Sequence, residues 1–114
     1  MTRDNWDDFE WEAFAPSVKR KVLHGPAYTV VLFSFEKGAN PAPHSHPHDQ
    51  LSTVQAGKAI FTVGDAAYEV GPGDVLRIPG GVPHGVEVIE APVSLLDVFV
   101  PVREDFPASK KIKE

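Results

Sequence analysis

Short runs of apolar residues, separated by turn-forming residues, dominate the pattern along this chain. The run YTVVLFSF at 28–35 is rich in β-branched and aromatic residues, and Gly25-Pro26 and Gly38 bound it. Gly64-Asp65 is a good hairpin turn between two further runs. The pattern predicts strands at 18–23, 28–35, 51–56, 58–63, 67–70, 75–78, 86–89 and 93–100. About eight short strands, repeating roughly every 8–12 residues, predict an all-β sandwich or barrel.

The two ends of the chain depart from this strand pattern. The first sixteen residues carry Trp6, Phe9, Trp11 and Phe14 among acidic residues, which predicts a short helix or an arm whose rings pack on the barrel. The last residues carry three lysines, which predict a frayed end rather than a binding patch. We therefore divide the chain into an N-terminal arm at 1–16, one barrel domain at 17–106 and a charged C-terminal tail at 107–114.

Composition narrows the class of protein further. A chain of 114 residues, 42% hydrophobic and 24% charged, suits one globular domain, and 11 prolines with 9 glycines favour strands and turns over helices. The absence of cysteine excludes disulfides, thiolate zinc sites, iron–sulfur clusters and a cysteine nucleophile, and agrees with a cytoplasmic protein. A net charge of −5 argues against nucleic acid as a partner. No run approaches the roughly 18 apolar residues of a membrane helix, so we expect no membrane partner.

Four of the five histidines occur in two places, PHSHPHDQ and GGVPHG. His44 and His46 are two residues apart, so an extended strand would point both imidazoles to the same side, as a metal ion requires. The proline that follows can turn the chain back, and Gln50 or His48 could then approach the same point. His84 would arrive from a distant strand of a closed barrel. The alternative is a set of solvated histidines in a proline-rich loop; the isolated His24 is expected to be a surface or packed residue.

The spacing around these histidines is more specific than the histidines themselves. The first block is Gly38, five residues, His44-Ser45-His46, three residues, Gln50, six residues, Gly57. The second block, 15 residues downstream, is Gly73, five residues, Pro79-Gly80-Gly81, two residues, His84. These blocks resemble the two conserved motifs of the cupin superfamily, except that Gln50 replaces the usual glutamate and Val88 stands where an asparagine is common.

The resemblance implies an all-β fold, the double-stranded β-helix or jelly-roll barrel, with one divalent transition metal ion inside. It implies that the ligands are His44, His46, Gln50 and His84, and that His48 is a loop or supporting residue. Because imidazole-rich sites accept Zn, Ni, Fe, Co, Mn or Cu, the ligands do not name the metal. A neutral amide in place of a carboxylate leaves the ion its full charge, which favours isomerisation, hydration or tautomerisation over oxygen-dependent oxidation.

The last predicted strand contains one charged residue, Asp97, among apolar neighbours. On the residues alone, Asp97 could lie at a sheet edge or pair with Arg77 or Arg103; a buried carboxylate without a partner would indicate function. In an extended strand, Asp97 and Phe99 share one face.

A second, narrower resemblance covers nearly the whole chain. Its segments are WEAFAPSVKRKVL (11–23), HSHPHDQ (44–50) and LLDVFVPVREDF (95–106). They are similar to small single-domain cupins related to the pectin-degradation protein KdgF, whose enzymes ketonise 4,5-unsaturated uronates. The resemblance implies a glutamine metal ligand and a functional Asp-x-Phe-x-x-x-Arg pattern at Asp97, Phe99 and Arg103. The chain departs from that group after Phe99, where it reads Val-Pro-Val instead of the commoner Ser-Pro-Pro.

Three functions remain compatible with the sequence. The first is a metal-dependent enzyme acting on a small-molecule sugar acid, an unsaturated uronate. The second is another cupin enzyme, a dioxygenase or an isomerase of a different polar metabolite. The third is a non-catalytic sugar- or metal-binding module. Side chains of Asp97 and Arg103 that face the pocket would favour the first over the third. Since exposed edge strands of small barrels favour pairing, and the aromatic arm could assist it, we also expect a homodimer.

Overall fold

The computed structural model describes residues 2–112 and confirms the all-β prediction. Near the N-terminus, the 3₁₀ turn Trp6–Asp8 is capped by the side chain of Asn5. Within the described residues, the strands are β1 Glu12–Ala15, β2 Val18–His24, β3 Thr29–Phe35, β4 Asp49–Val63, β5 Ala66–Val70, β6 Val75–Ile78 and β7 His84–Val100. No helix among these residues is long and apolar enough to span a membrane.

The strands form one antiparallel system that bends into a barrel. Its order is β1-β2-β3-β7-β4-β5, and β6 also pairs with β4. The two long strands, β4 and β7, pair along nearly their whole length, from Asp49 opposite Val100 to Val63 opposite His84. The first part of β4 pairs with β6 and its last part with β5. β4 therefore pairs with three other strands, β5, β6 and β7.

Two predicted strand breaks are wrong. The segments 51–56 and 58–63 belong to one strand, and 86–89 and 93–100 belong to another. The register shifts near Gly57, so this region is a bulge and not an end. Gly57 has a φ of +81°, and a Cβ there would clash with the Pro92 carbonyl oxygen. The glycine and proline therefore mark a close crossing of two bent strands.

Both termini pack on the barrel. The N-terminal segment contributes β1, and the ring of Phe14 lies 5.9 Å from that of Phe33 and 6.0 Å from that of Phe106. At the other end, the backbone N–H of Ser109 donates to the Val22 carbonyl at 2.9 Å, and Ile112 bonds Asp8 in the same way. The expectation of a frayed tail is wrong as far as Ile112, because backbone pairing holds it; its last two residues, 113 and 114, lie outside the described part. The homodimer stays a prediction.

The inner face of β7 carries one charged side chain among the apolar residues of the core. In the second half of this strand, from Val93 to Phe99, alternate residues are buried, as expected for a strand with one face on a core. Val93, Leu95, Asp97 and Phe99 are each 3% exposed or less. A carboxylate therefore occupies a position that the strand pattern otherwise gives to apolar side chains.

Candidate metal centre and adjoining pocket

Three histidines form a tight group at the start of β7 and the approach to β4. His44 and His84 exchange two backbone hydrogen bonds, of 3.0 and 2.9 Å, which place their rings 4.5 Å apart. The ring of His46 lies 4.9 Å from that of His84. One ring nitrogen from each of the three lies within 4.8 Å of the others. The structure thus brings together the histidines that the spacing predicted.

The turn of the second motif docks directly on the loop of the first. The N–H of Gly81 donates to the His46 carbonyl at 2.7 Å, and that of Gly80 donates to Asp49 Oδ1 at 2.8 Å. A Cβ on Gly80 would clash with the carbonyl of Pro47. Gly80 is therefore needed for the close approach that joins the two halves of the histidine group.

Gln50, the second residue of β4, lies beside this group. Its Oε1 is 2.9 Å from His46 Nε2. Its amide nitrogen donates to Ser52 Oγ at 2.9 Å and to Asp97 Oδ2 at 3.1 Å, so the amide oxygen must be the atom that faces the histidine. His48 contributes its backbone carbonyl, 3.0 Å from His46 Nδ1, and its own ring is outside the three-histidine group.

The hydrogen-bond partners of these rings indicate which ring nitrogens are free to bind a cation. His46 Nδ1 faces the carbonyl of His48, and His84 Nδ1 faces the carbonyl of Val82 at 2.9 Å, so both Nδ1 atoms carry hydrogen. Each Nε2 then has a free lone pair. The lone pair of His46 meets the oxygen of Gln50, and two such acceptors repel unless a proton or cation lies between them. His84 Nε2 is buried and has no hydrogen-bond partner among residues 2–112.

Burial also favours the neutral, metal-binding form of two of the imidazoles. Desolvation lowers the pKa of His46 and of His84, although hydrogen bonds to Gln50 and to the backbone oppose part of the change. A neutral imidazole is the form that binds metal. These residues could therefore hold a divalent ion through three ring nitrogens and one amide oxygen.

A cavity of about 240 Å³ adjoins the histidines and is walled mainly by apolar residues. Six of the seven phenylalanines of the chain line it: Phe14, Phe33, Phe35, Phe61, Phe99 and Phe106. The polar lining comes from five side chains, those of His44, Gln50, His84, Asp97 and Arg103. Apolar walls with a few convergent polar groups are typical of a small-molecule site.

Asp97 faces this cavity and makes no ion pair with Arg77 or Arg103 within the described residues. Oδ2 accepts from Gln50, and Oδ1 is buried without a hydrogen-bond partner in that same range. Burial raises the pKa of the Asp97 carboxyl to about 7, against the opposing effect of the Ser52 hydroxyl. A cation on the neighbouring histidines would lower that pKa again. The edge or ion-pair alternative for Asp97 is wrong, because β7 places it inside the barrel.

Arg103 follows β7 and reaches the same cavity. Its guanidinium lies 4.0 Å from the ring centroid of Phe106 and 5.0 Å from that of Phe99. Asp105 accepts from Nε at 3.0 Å and from Nη2 at 2.8 Å, and this contact lowers the pKa of Asp105 to about 2. Phe99 in turn packs edge-on against His46, with centroids 5.5 Å apart. The three residues singled out from the sequence therefore share one pocket with the histidines.

The sequence did not indicate two residues that contact side chains of the pocket lining from outside it. Ser52, which is completely buried and accepts from Gln50, lies two residues after it, and strand periodicity could have placed it on the same face. Arg20 lies between the rings of Phe14 and Phe106, at 4.1 and 4.3 Å from their centroids. No local pattern links Arg20 to these rings, since they come from opposite ends of the chain.

Comparison with known proteins identifies the class that this barrel and histidine group define. The cupin domain family matches residues 31–99, and the chain belongs to that family. The structure of KdgF from Halomonas sp. is similar, with 29% identity and a TM-score of 0.84 over 89% of this chain and 94% of that one. An RmlC-like cupin from Shewanella frigidimarina has 30% identity and a TM-score of 0.85, over 91% and 94%. The uncharacterized protein SCO3923 of Streptomyces coelicolor is 32% identical over 73 residues, 64% of this chain and 70% of that protein. These findings confirm the predicted fold and both resemblances.

Proposed function

We propose that this cupin is a metal-dependent enzyme that converts 4,5-unsaturated uronates to their linear, ketonised form. The observation that carries the proposal is the convergence of Asp97, Phe99 and Arg103 on the cavity beside the three histidines. The similarity to KdgF from Halomonas sp. over most of both chains supports the same reaction.

The metal ion would be held by His44, His46 and His84, whose ring nitrogens converge, and by Gln50, whose Oε1 lies beside His46 Nε2. When bound, it supplies Lewis-acid stabilisation of negative charge on a substrate oxygen. Gln50 has a second role, because its amide nitrogen holds Asp97 Oδ2. A hydrogen bond thus joins the proposed metal ligand Gln50 to the Asp97 carboxylate.

Arg103 would bind the uronate carboxylate. Asp105 already occupies Nε and Nη2, so a second carboxylate would meet the guanidinium at its Nη1 side. The rings of Phe99 and Phe106, which flank this guanidinium, would then form a wall against the sugar ring. Because Asp105 leaves only one side of the guanidinium accessible, we expect the substrate carboxylate to bind Arg103 in one orientation.

Asp97 would move the protons. The reaction is an isomerisation, in which the anomeric hydroxyl loses its proton as the bond from C1 to the ring oxygen breaks. The aldehyde and an enol form, and the enol becomes a ketone when C4 gains a proton and the enol oxygen loses one. Oδ1 is the free atom of Asp97, so it is the oxygen that would accept and return the proton.

The test is to follow the double-bond absorbance of unsaturated galacturonate and guluronate monomers with the metal-loaded protein, in air and without oxygen. We expect loss of absorbance faster than the spontaneous rate and equal in both atmospheres. The metal-free protein serves as the control. A rate no higher than the spontaneous one, with metal bound, would contradict the proposal. Strict dependence on oxygen and ferrous iron would indicate an oxygenase instead.

A further inference from the structure

The turn that follows β7 carries pocket residues but belongs to no strand. Residues 103–106 close on themselves with one backbone hydrogen bond, from Phe106 N–H to the Arg103 carbonyl at 3.0 Å. Two side chains from elsewhere hold its ends. The N–H of Arg103 donates to Thr29 Oγ1 at 2.8 Å, and His24 Nε2 lies 2.8 Å from the carbonyl oxygen of Phe106.

His24 and Thr29 also hold each other. They are the last cross-strand pair of the hairpin formed by β2 and β3, and His24 Nδ1 lies 2.8 Å from Thr29 Oγ1. Thr29 is completely buried. We call these two residues the hairpin clamp.

The partners allow one consistent arrangement of protons for a neutral His24. The backbone N–H of Arg103 can only donate, so Thr29 Oγ1 accepts from it. The carbonyl of Phe106 can only accept, so His24 Nε2 carries hydrogen and donates. His24 Nδ1 is then an acceptor, and the Thr29 hydroxyl donates to it. Each group in this chain therefore donates to the next one, from Arg103 through Thr29 and His24 to the carbonyl of Phe106. In such a chain, each hydrogen bond strengthens the next.

The contacts of the turn explain why its position matters. The guanidinium of Arg103 rests on the ring of Phe106 and is gripped by Asp105 from the same turn. Asp105 belongs to the same turn and bonds only the Arg103 side chain, so it does not tie the turn to the barrel. Among residues 2–112, the hydrogen bonds that join this turn to the sheet come from the clamp.

We infer that His24 and Thr29 are positioning residues, which set where Arg103 and Phe106 meet the carboxylate end of a bound substrate. The inference rests on the proposed uronate reaction for its kinetic test. It gives a role to His24, which lies at the end of β2 away from the three-histidine group.

The kinetic test compares Thr29→Val, which removes only the hydroxyl, with Thr29→Ser, which keeps it. Thr53→Val on β4 is the matched control for the same change in another strand. We expect Thr29→Val to raise KM about tenfold with kcat changed less than about threefold, as for a lost binding contact, and Thr29→Ser to restore KM. In an Arg103→Met background, Thr29→Val should have no further effect. A wild-type KM in Thr29→Val, or an equal rise in both backgrounds, would overturn the inference.

A second measurement does not depend on turnover. In ¹⁵N-labelled protein, the amide hydrogen of Arg103 should exchange at least about tenfold faster in Thr29→Val than in Thr29→Ser or Thr53→Val, because it loses its acceptor. The Arg103 Nε–H resonance, which reports the contact with Asp105, should shift in Thr29→Val alone. Unchanged exchange and an unchanged resonance would reject the clamp. If these changes occur in a protein that does not ketonise uronates, the proposed function fails and the positioning role stands.

His24 provides an independent variant should Thr29→Val not fold. His24→Leu removes both hydrogen bonds, whereas His24→Gln can still donate to the Phe106 carbonyl. We expect the larger rise in KM in His24→Leu and partial rescue in His24→Gln, with metal content unchanged in both. Equal KM values for the two variants would contradict the role of the donated hydrogen bond.

Discussion

The two sides of the pocket are built in different ways. On the metal side, backbone pairing holds the ligands: His44 and His84 exchange two backbone hydrogen bonds, and Gly81 bonds His46. On the other side, which we call the carboxylate side after its proposed role, Arg103 lies on an irregular turn that Thr29 and His24 tie to the sheet, and its guanidinium stacks on Phe106. Backbone pairing depends little on the identity of the side chains, whereas the contacts that place Arg103 depend on them directly. We therefore expect single substitutions to displace Arg103 more readily than the backbone of the three histidines.

Removal of a ligand on the metal side should have the largest effect. In His84→Ala, we expect metal content to fall from about one ion per chain to less than about a tenth, and turnover to fall to the spontaneous rate. His48→Ala is the control, because its ring lies outside the three-histidine group, and it should retain metal. Elemental analysis after dialysis measures both. Equal metal loss in the two variants would mean that His48 belongs to the site.

Asp97→Asn should separate chemistry from metal binding. The amide cannot accept and return a proton, so we expect kcat to fall roughly 10²–10⁴-fold, while metal content stays at the wild-type level. Stopped-flow absorbance and elemental analysis on the same sample check this prediction. A fall of kcat in proportion to metal content would instead assign Asp97 to support of Gln50 alone.

Arg103 tests the carboxylate side directly. Arg103→Met should raise KM about tenfold or more, and Arg103→Lys should recover little of it, because an ammonium lacks the planar fork that bonds Asp105 and a substrate together. Steady-state kinetics on the metal-loaded variants measure the effect. Full recovery by lysine would show that charge alone is sufficient at this position.

The smallest effect should come from acid titration of Asp105. Its folded pKa of about 2 lies below the ordinary value of 3.8, so its ion pair with Arg103 stabilises the fold above about pH 4 and is lost as pH falls toward 2. Because Asp105 is largely exposed, solvent screening limits the contribution to less than about 1 kcal/mol. Urea unfolding at a series of pH values should show a shallower acid loss for Asp105→Asn than for the wild type. Parallel curves would contradict it.

Much of the metal side could be predicted from the sequence because its information is local. His44 and His46 share a strand face, and the glycines and prolines of both motifs occur at fixed spacing. The choice between Gln50 and His48 could not be made from spacing alone, since either could approach after the proline. That choice depends on the hydrogen bonds that neighbouring side chains make. Here Ser52 and Asp97 accept from the amide nitrogen of Gln50 and turn its oxygen toward His46.

The carboxylate side was less predictable because its contacts join distant parts of the chain. Asp97 was identified as unusual, but whether it faced solvent, an arginine or the cavity depended on the barrel. Phe14 and Phe106 are 92 positions apart and meet over one arginine. Gly57 and Pro92 suggested strand ends, whereas both lie inside long strands, where the register shifts and the two backbones approach closely.

By itself, the sequence determined the class of fold and, through the spacing of its two motifs, which three histidines come together. Side-chain alternation and turn residues act over a few positions, and a short-range pattern can be read directly. Only the tertiary structure decided that Asp97 lies inside the barrel, that Arg103 is presented by a turn, and that His24 and Thr29 hold that turn. Those placements result from the pairing of β4 with β7 and of β2 with β3. This pairing brings residues that are far apart in the sequence to within hydrogen-bonding distance.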